Sequence, residues 1–232
     1  IMMEDISNEK RMKSTMSRYM DSDLADQIMD GGEEMLGGKE SIGTVLFSDI
    51  RSFTTLTEEL GAQGTVSLLN EYFTIMVDCI QNEGGMLDKF IGDAVMVFFG
   101  DPETLGEEQD ALNCIEMALR MKKRVAELRQ HWIKMGLKTG LNVRMGISTG
   151  FCTVGNFGSN QRLDYTALGS PVNLSARLQG LAPTNEILIS ELTNNLIKDK
   201  VKSNISEFTD SPSYLVFDVV QYRKRQRIHL CL

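Results

Sequence analysis

The stretch GTVLFSDIRSFT, residues 43–54, joins an apolar strand to a run of acidic and hydroxyl residues. Its first half, Gly43–Ile50, predicts a buried strand, and Asp49 near its end has no packing role there. Asp49 is either the cap of a helix that starts within Arg51–Thr57 or a functional carboxylate. A strand that ends in Asp and runs into a helix start offers a metal ligand and backbone N–H groups for a phosphate.

Strands and helices are mixed along the rest of the chain. Residues 63–83 predict a helix with one apolar stripe. Glycines at 31, 32, 37 and 38 predict a loop before the first strand. The other predicted elements are a hairpin of strands 86–91 and 94–99, a helix 107–135, strands 141–149, 151–156 and 162–168, a helix 170–181 with Ser170 as its cap, a strand 186–190, a short helix ending at Ile197, and a strand 214–222. This pattern predicts an α+β fold.

The hairpin carries a second group of charged residues, in the motif DKFIGDAVM at residues 88–96. Lys89 and Asp93 bracket a tight turn between apolar strands, and Gly92-Asp93 is also an ordinary turn pair. Together with Asp49, however, Asp93 places two carboxylates at strand ends of one sheet. Two such carboxylates can hold two divalent cations ~4 Å apart, an arrangement suited to in-line phosphoryl displacement.

A third candidate lies in ALGSPVNLSARLQ, residues 167–179. Asn173 and Arg177 are four residues apart on a predicted helix, so they share one face. This face is either a plain solvated surface or a functional one. In the functional interpretation the amide orients a ribose and the guanidinium stabilises charge on a pentacovalent phosphorus.

Composition narrows the class of protein. The chain has 232 residues, is 42% apolar and 24% charged, and has a net charge of −8. These values are ordinary for a soluble globular domain and exclude disorder as the dominant state. The acidic balance argues against a nucleic-acid partner, and no apolar run approaches the ~20 residues of a membrane-spanning helix.

The cysteines and the N-terminal residues indicate the cellular compartment of the protein. The four cysteines are scattered and form no CxxC pair, so we expect no zinc site. The opening residues IMMEDIS lack a basic n-region, which argues against a secretory signal. We therefore expect a cytoplasmic domain in a reducing compartment. Because the chain begins at Ile1 and not at Met, we expect it to be a piece of a longer protein, either soluble or membrane-attached.

The three motifs, in this order and spacing, resemble the catalytic domain of class III nucleotidyl cyclases, most closely the bacterial, cyanobacterial-type adenylyl cyclases. The resemblance covers roughly Gly43–Tyr222. It implies a ferredoxin-like βαββαβ core with additional strands and helices and a sheet rich in antiparallel pairs. Each motif alone is a moderate to weak signal, but their joint occurrence is specific.

The resemblance also implies a metal and phosphate site. Asp49 and Asp93 match the family's two metal-binding aspartates, with the Ile50 carbonyl as a further ligand, for two Mg²⁺ or Mn²⁺ ions. The amides around Phe53 and Thr54 would cradle the β- and γ-phosphates. One metal would lower the pKa of the ribose 3′-hydroxyl and the other would hold the triphosphate, giving a 3′,5′-cyclic nucleotide and pyrophosphate.

Base choice in the family depends on two positions, which here are Lys89 and Thr166. Adenylyl cyclases carry Lys and either Asp or Thr there, whereas guanylyl cyclases carry Glu and Cys. A Lys can only donate and adenine N1 is an acceptor, while Thr166 can accept from the adenine amine. The resemblance therefore implies ATP as the substrate.

The family works as a head-to-tail dimer, which implies a homodimer with two interfacial sites. One chain would supply the aspartates, and its partner would supply Lys89, Thr166 and the catalytic Asn173 and Arg177. Residues 156–164 would form the arm that reaches the partner. One departure is the stretch ISEFTDSP, residues 205–212, which lacks the family's phosphate-binding Lys. Lys200 or Lys202 could substitute if the loop is rearranged; otherwise the triphosphate is held more weakly.

These inferences divide the chain into three parts. Residues 1–40 resemble the end of an upstream PAS-like sensor and a helical signalling linker, or form a plain helical linker. Residues 41–222 would be the catalytic domain, and residues 223–232 a basic tail. The sequence favours an adenylyl cyclase. The alternatives are a guanylyl cyclase, against which Lys89 argues, and a degenerate nucleotide-binding regulatory domain, against which the intact motif residues argue.

Overall fold

The computed structural model describes residues 37–138, 140–159, 162–205 and 216–222. The strands are β1 Gly37–Ile50, β2 Met86–Ile91, β3 Ala94–Phe99, β4 Val143–Ser159, β5 Arg162–Leu168, β6 Ile187–Ser190, β7 Val201–Ile205 and β8 Val216–Tyr222. The helices are α1 Phe53–Glu83, α2 Glu107–Lys134, α3 Ser170–Leu181 and α4 Glu191–Ile197. Residues 1–36 of the predicted sensor and linker (1–40) and the predicted basic tail lie outside the described residues, and the division into three parts stays a prediction.

The strands form one sheet in the order β2-β3-β1-β4-β6-β8-β7, with β5 paired to β4. The unit β1-α1-β2-β3-α2-β4 supplies the first four strands of that order, which is the ferredoxin-like arrangement. Every pair is antiparallel except β4 with β6. The predicted α+β fold with a ferredoxin-like core is therefore confirmed.

Strand β1 lies in the centre of this core, between β3 and β4, and successive side chains alternate between its two faces. Leu46 and Ile50 belong to the main apolar cluster, under α1 and α2. Val45 and Phe47 belong to a second cluster, packed against residues of α3. Asp49 therefore lies on the α3 face of the sheet.

Several boundaries differ from the sequence prediction. Helix α1 begins at Phe53, ten residues earlier than Gln63, and contains a kink at Gly61, where φ is 66° and ψ is 178°. Strand β4 is one continuous element where two were predicted, and strand β7 was not predicted. At the start of α3, Gly169 is the N-cap and Ser170 is already helical, so the prediction of Ser170 as cap was wrong.

The glycines at 37 and 38 form part of β1, not of a loop. They lie opposite Asn156 and Gly155 of β4. A Cβ on Gly155 would overlap the Gly37 carbonyl oxygen, so the two backbones approach too closely for a side chain. A glycine in a strand interior often marks such a close approach. The described residues contain no helix that is long and apolar enough to cross a membrane.

Candidate active site

Asp49 and Arg144 form the centre of the site. They lie directly opposite each other on β1 and β4. The guanidinium donates twice to the carboxylate, with Arg144 Nε 2.8 Å from Asp49 Oδ1 and Nη2 2.9 Å from Oδ2. Arg144 Nη1 also donates to the Gly180 carbonyl of α3 at 2.9 Å. Such a bidentate contact fixes the orientation of the carboxylate as well as neutralising it.

Asp93 joins this group from the turn between β2 and β3. Its Oδ2 accepts a hydrogen bond from the Ile50 backbone N–H at 3.0 Å. Partial burial raises the pKa of Asp93, and the negative charge of Asp49 raises it further, against the lowering effect of the Ile50 hydrogen bond. The structure therefore brings Asp49, Ile50 and Asp93 together, as the sequence predicted.

Tyr72 lies buried beneath these carboxylates. Its hydroxyl is 3.3 Å from the Ser48 hydroxyl, one residue before Asp49. Complete burial raises the pKa of Tyr72, and the charges of Asp93 and Asp49 act in the same direction. Tyr72 therefore stays a neutral support on the opposite face of β1 and was not recognised from the sequence.

Phe53 and Thr54 form the start of α1, immediately after this acidic strand end. Ser52 is the N-cap residue in the left-handed conformation, with φ 59° and ψ 38°, and its side chain makes no capping hydrogen bond. The first N–H groups of a helix have no intrahelical acceptor. They are consequently available for the negative charge of a phosphate.

Lys89 and Thr166 meet at a different carboxylate, that of Asp88. The Thr166 hydroxyl donates to Asp88 Oδ2 at 2.6 Å, and the Ala167 N–H donates to the same oxygen at 3.3 Å. Lys89 Nζ is 3.3 Å from Asp88 Oδ1. The two predicted base-recognition residues are thus held together by a residue to which the sequence analysis gave no role.

Asn173 and Arg177 lie on α3 with exposed side chains. Helix α3 packs closely on the sheet, because a Cβ on Gly146 of β4 would overlap the Ser175 carbonyl and the Gln179 amide nitrogen. Within the part of the chain that the structure describes, no hydrogen bond or ion pair joins Asn173 or Arg177 to the aspartates. The predicted site residues therefore fall into three groups that no hydrogen bond or ion pair joins within the described residues.

The residues present fit a divalent-cation site that is completed by substrate. Among the described residues no cluster of three or more His, Cys, Asp or Glu side chains is arranged to hold a metal. Asp49 and Asp93 supply two carboxylates. Mg²⁺ is commonly bound by one or two carboxylates together with substrate phosphates and water, so a third acidic side chain is not required.

Arg144 is the main residue of the candidate site that the sequence analysis did not identify. Arg144 is the one charged residue in the predicted strand 141–149, and this was the available signal. Its direct partner Asp49 is 95 residues away in the chain, so only the β1–β4 register reveals the pair.

Comparison with known proteins identifies the class. Residues 38–216 match the sequence profile of the Adenylate and Guanylate cyclase catalytic domain. The chain belongs to this family of class III nucleotidyl cyclases.

The described fold is similar to that of solved cyclases. The adenylyl cyclase CyaB from P. aeruginosa is 44% identical, with a TM-score of 0.77 over 82% of this chain and 98% of that one. The guanylyl cyclase Cya2 is 32% identical, with a TM-score of 0.72 over 83% of this chain and 98% of that one. The terminal-differentiation-specific adenylate cyclase of Dictyostelium discoideum is 30% identical over 206 residues, or 86% of this chain.

The chain is much shorter than its curated relatives. It spans 9% of the Dictyostelium protein and 32% of an uncharacterized protein from Mycobacterium bovis that is 29% identical.

Proposed function

We propose that this domain is an adenylyl cyclase, which converts ATP to 3′,5′-cyclic AMP and pyrophosphate at sites shared between two copies of the chain. The observation that carries the proposal is the meeting of Lys89 and Thr166 at Asp88. An ammonium donor and a hydroxyl side by side match the N1 acceptor and the amine of adenine. The 44% identity to the adenylyl cyclase CyaB supports the same substrate.

Catalysis in this proposal uses the residues around Asp49. Asp49, Asp93 and the Ile50 carbonyl would hold two Mg²⁺ or Mn²⁺ ions, which when bound would lower the pKa of the ribose 3′-hydroxyl and neutralise charge on the triphosphate. The N–H groups of Phe53 and Thr54 would bind the β- and γ-phosphates. The 3′-oxygen then bonds to the α-phosphorus, the bond from the α-phosphorus to the bridging oxygen breaks, and the 3′-proton passes to water.

Arg144 has a place in this mechanism. Its guanidinium lies at the same carboxylate and has the donor geometry that suits phosphate oxygens. It would supply the positive charge that the family's Lys supplies in the stretch 205–212, most of which lies outside the described residues. Lys202 is an exposed residue of β7, and no hydrogen bond or ion pair joins it to the aspartates among the residues that the structure describes.

A shared site is supported by the lack of hydrogen bonds and ion pairs between the three groups among the described residues. Lys89 and Thr166 would face the aspartates of a second copy, with Asn173 orienting the ribose and Arg177 stabilising charge on the phosphorus. Large apolar side chains are exposed around the base-recognition strands: Phe90, Ile91, Phe151, Leu163 and Leu168. Apolar surface of this kind favours a protein partner, and in this proposal a second copy covers it.

Three cysteines of the described residues are free, at positions 79, 114 and 152. Free thiols are typical of a reducing compartment. This agrees with a cytoplasmic catalytic domain supplied with ATP.

The decisive test is incubation of the protein with Mn²⁺ and either ATP or GTP, followed by chromatography of the products. We expect cyclic AMP and pyrophosphate from ATP and far less cyclic GMP from GTP. Cyclic GMP as the main product would establish the guanylyl alternative. Nucleotide binding without either product would establish a degenerate regulatory domain.

A further inference from the structure

Asp88 is a buried carboxylate at the centre of the base-recognition group. Its side chain is 0% exposed, whereas that of Lys89 is 36% exposed. Asp88 is the extra residue of a β-bulge, because Leu87 pairs with Val97 and Lys89 with the next residue, Met96. A bulge places two consecutive residues opposite one, and so redirects a side chain. Here the redirected carboxylate contacts β5.

The contact restricts what the Thr166 hydroxyl can do. A hydroxyl has one proton to donate and two lone pairs with which to accept. A carboxylate paired with an ammonium can only accept, so the 2.6 Å contact uses the Thr166 proton. Toward any further partner the Thr166 hydroxyl can then only accept a hydrogen bond, through its lone pairs.

We infer that Asp88 is a positioning residue that makes Thr166 an obligate acceptor toward the base, and thereby selects a 6-amino purine against a 6-oxo purine. The inference rests on the proposed function, in which Thr166 faces the base. A 6-amino group donates to the free lone pairs of the hydroxyl. A 6-oxo group brings lone pairs against lone pairs, and the buried polar atoms are left without partners.

Asp88 also acts on Lys89. Its Oδ1 makes no hydrogen bond within the described residues and faces the Lys89 ammonium. This attraction keeps the ammonium beside Thr166 when no nucleotide is bound. The Asp88 carboxylate therefore positions both base-recognition groups. It accepts the proton of the Thr166 hydroxyl and attracts the charge of the Lys89 ammonium.

The test compares the kcat/KM of ATP with that of inosine triphosphate, which has a 6-oxo group and lacks the 2-amino group of GTP. Asp88→Asn keeps the shape of the side chain. The Lys89 ammonium favours the amide oxygen at the Oδ1 position, so the amide nitrogen takes the Oδ2 position, replaces the acceptor of the Ala167 N–H, donates to Thr166 and frees the hydroxyl proton. We expect the kcat/KM for ATP divided by that for inosine triphosphate to fall about tenfold, which is the effect of one lost discriminating hydrogen bond.

The matched control is Asp101→Asn. Asp101 is also a buried carboxylate, with a side chain that is 1% exposed. It accepts from the hydroxyl of Tyr165, the β5 residue next to Thr166. This variant removes the charge of a second buried carboxylate that contacts β5 and leaves the hydrogen bond between Asp88 and Thr166 in place, so we expect it to leave the ratio unchanged. A fall of the same size in both variants would overturn the inference, since it would show a general effect on β5.

Variants of Thr166 test the inference without altering Asp88. Thr166→Ser retains the hydroxyl and should retain the ratio, whereas Thr166→Val removes the hydroxyl and should lower it. In the Thr166→Val background, Asp88→Asn should have a much smaller effect on the ratio, limited to the part that acts through Lys89, because neighbouring residues that act through one another are not additive. A full additional effect in that background would contradict the inference.

The wild-type protein separates the two possible failures. If it makes no cyclic AMP, or prefers GTP, the proposed function fails. If it is selective for ATP and Asp88→Asn keeps that selectivity, the proposed function stands and the role of Asp88 is refuted.

Discussion

Arg144 binds Asp49 through two parallel hydrogen bonds of 2.8 and 2.9 Å, across the central strand pair of the sheet. The carboxylate at the proposed metal site is therefore neutralised by a guanidinium before any cation arrives. Both side chains are about one-fifth exposed, at 20% for Arg144 and 18% for Asp49, so a ligand can reach them from solvent.

The first prediction concerns the two aspartates. Asp49→Ala and Asp93→Ala should each reduce cyclase turnover to background, because each removes a ligand of a cation that the reaction requires. Turnover is measured with Mn²⁺ and ATP, and thermal unfolding verifies that the variants fold. Asp78→Ala is the control. Asp78 is half exposed, and its ion pair with Arg124 is a long surface contact of 4.0 Å. Activity within a few-fold of wild type in either site variant would refute the metal assignment.

The second prediction concerns Arg144 and separates its two effects. In the absence of nucleotide, Arg144→Ala should bind Mn²⁺ about tenfold more tightly, because removing a positive charge a few ångströms away leaves the carboxylates less neutralised. The same variant should show a higher KM for ATP, because a phosphate-binding group is lost. Calorimetric titration of Mn²⁺ and steady-state kinetics measure the two effects. Arg120→Ala, which removes a surface arginine paired with Glu83, is the control. Unchanged or weaker Mn²⁺ binding in Arg144→Ala would contradict the prediction.

The third prediction concerns the base. Lys89→Glu replaces a donor with an acceptor, so adenine N1 would face a carboxylate while guanine N1–H would gain a partner. The kcat/KM for ATP should fall strongly, and the ratio of the kcat/KM for GTP to that for ATP should rise. Adding Thr166→Cys should shift the ratio further in the same direction. Lys123→Glu makes the same charge change at an exposed position of α2 and should leave the ratio unaltered. If Lys89→Glu does not alter the ratio either, Lys89 does not contact the base.

The fourth prediction concerns the packing that positions α3. Gly146→Ala should lower the free energy of unfolding by about 1–3 kcal/mol, since the added methyl group meets the backbone of α3 and forces it away from the sheet. Gly180→Ala is the matched control within α3, where a Cβ meets no atom within 4 Å. It should be neutral or stabilise by up to ~1 kcal/mol. Urea denaturation of both variants decides the prediction, and equal stabilities would contradict it.

The sequence predicted most of the core because its strongest signals are local. Strands β2, β3 and β5 were predicted with the bounds that the structure shows, and apolar strands separated by the turn Gly92-Asp93 are a short-range pattern. The start of α1 was missed because Gly61 and Gly64 interrupt its apolar pattern. Strand β7 was missed because VKSNI is mostly polar, and its pairing with β8 defines it.

The candidate site could be predicted only where a motif carried it. Asp49 and Asp93 come together as expected, although 43 residues separate Ile50 from Asp93. Arg144 and Asp88 could not be assigned roles, because the first depends on the β1–β4 register and the second on a bulge in β2. Sequence periodicity assumes regular alternation, and a bulge breaks that alternation.

A catalytic site assembled from two copies of the chain is tested most directly by complementation. Asp49→Ala and Arg177→Ala homodimers should each be inactive, because each lacks one part of both sites. In a symmetric dimer every surface occurs twice, so a heterodimer of the two variants regains one site with both parts intact. The measurement is cyclic AMP formation from ATP by a mixture in which heterodimers have been verified. We predict that activity returns, to about half that of wild type per heterodimer, and activity that stays at background would contradict the shared site.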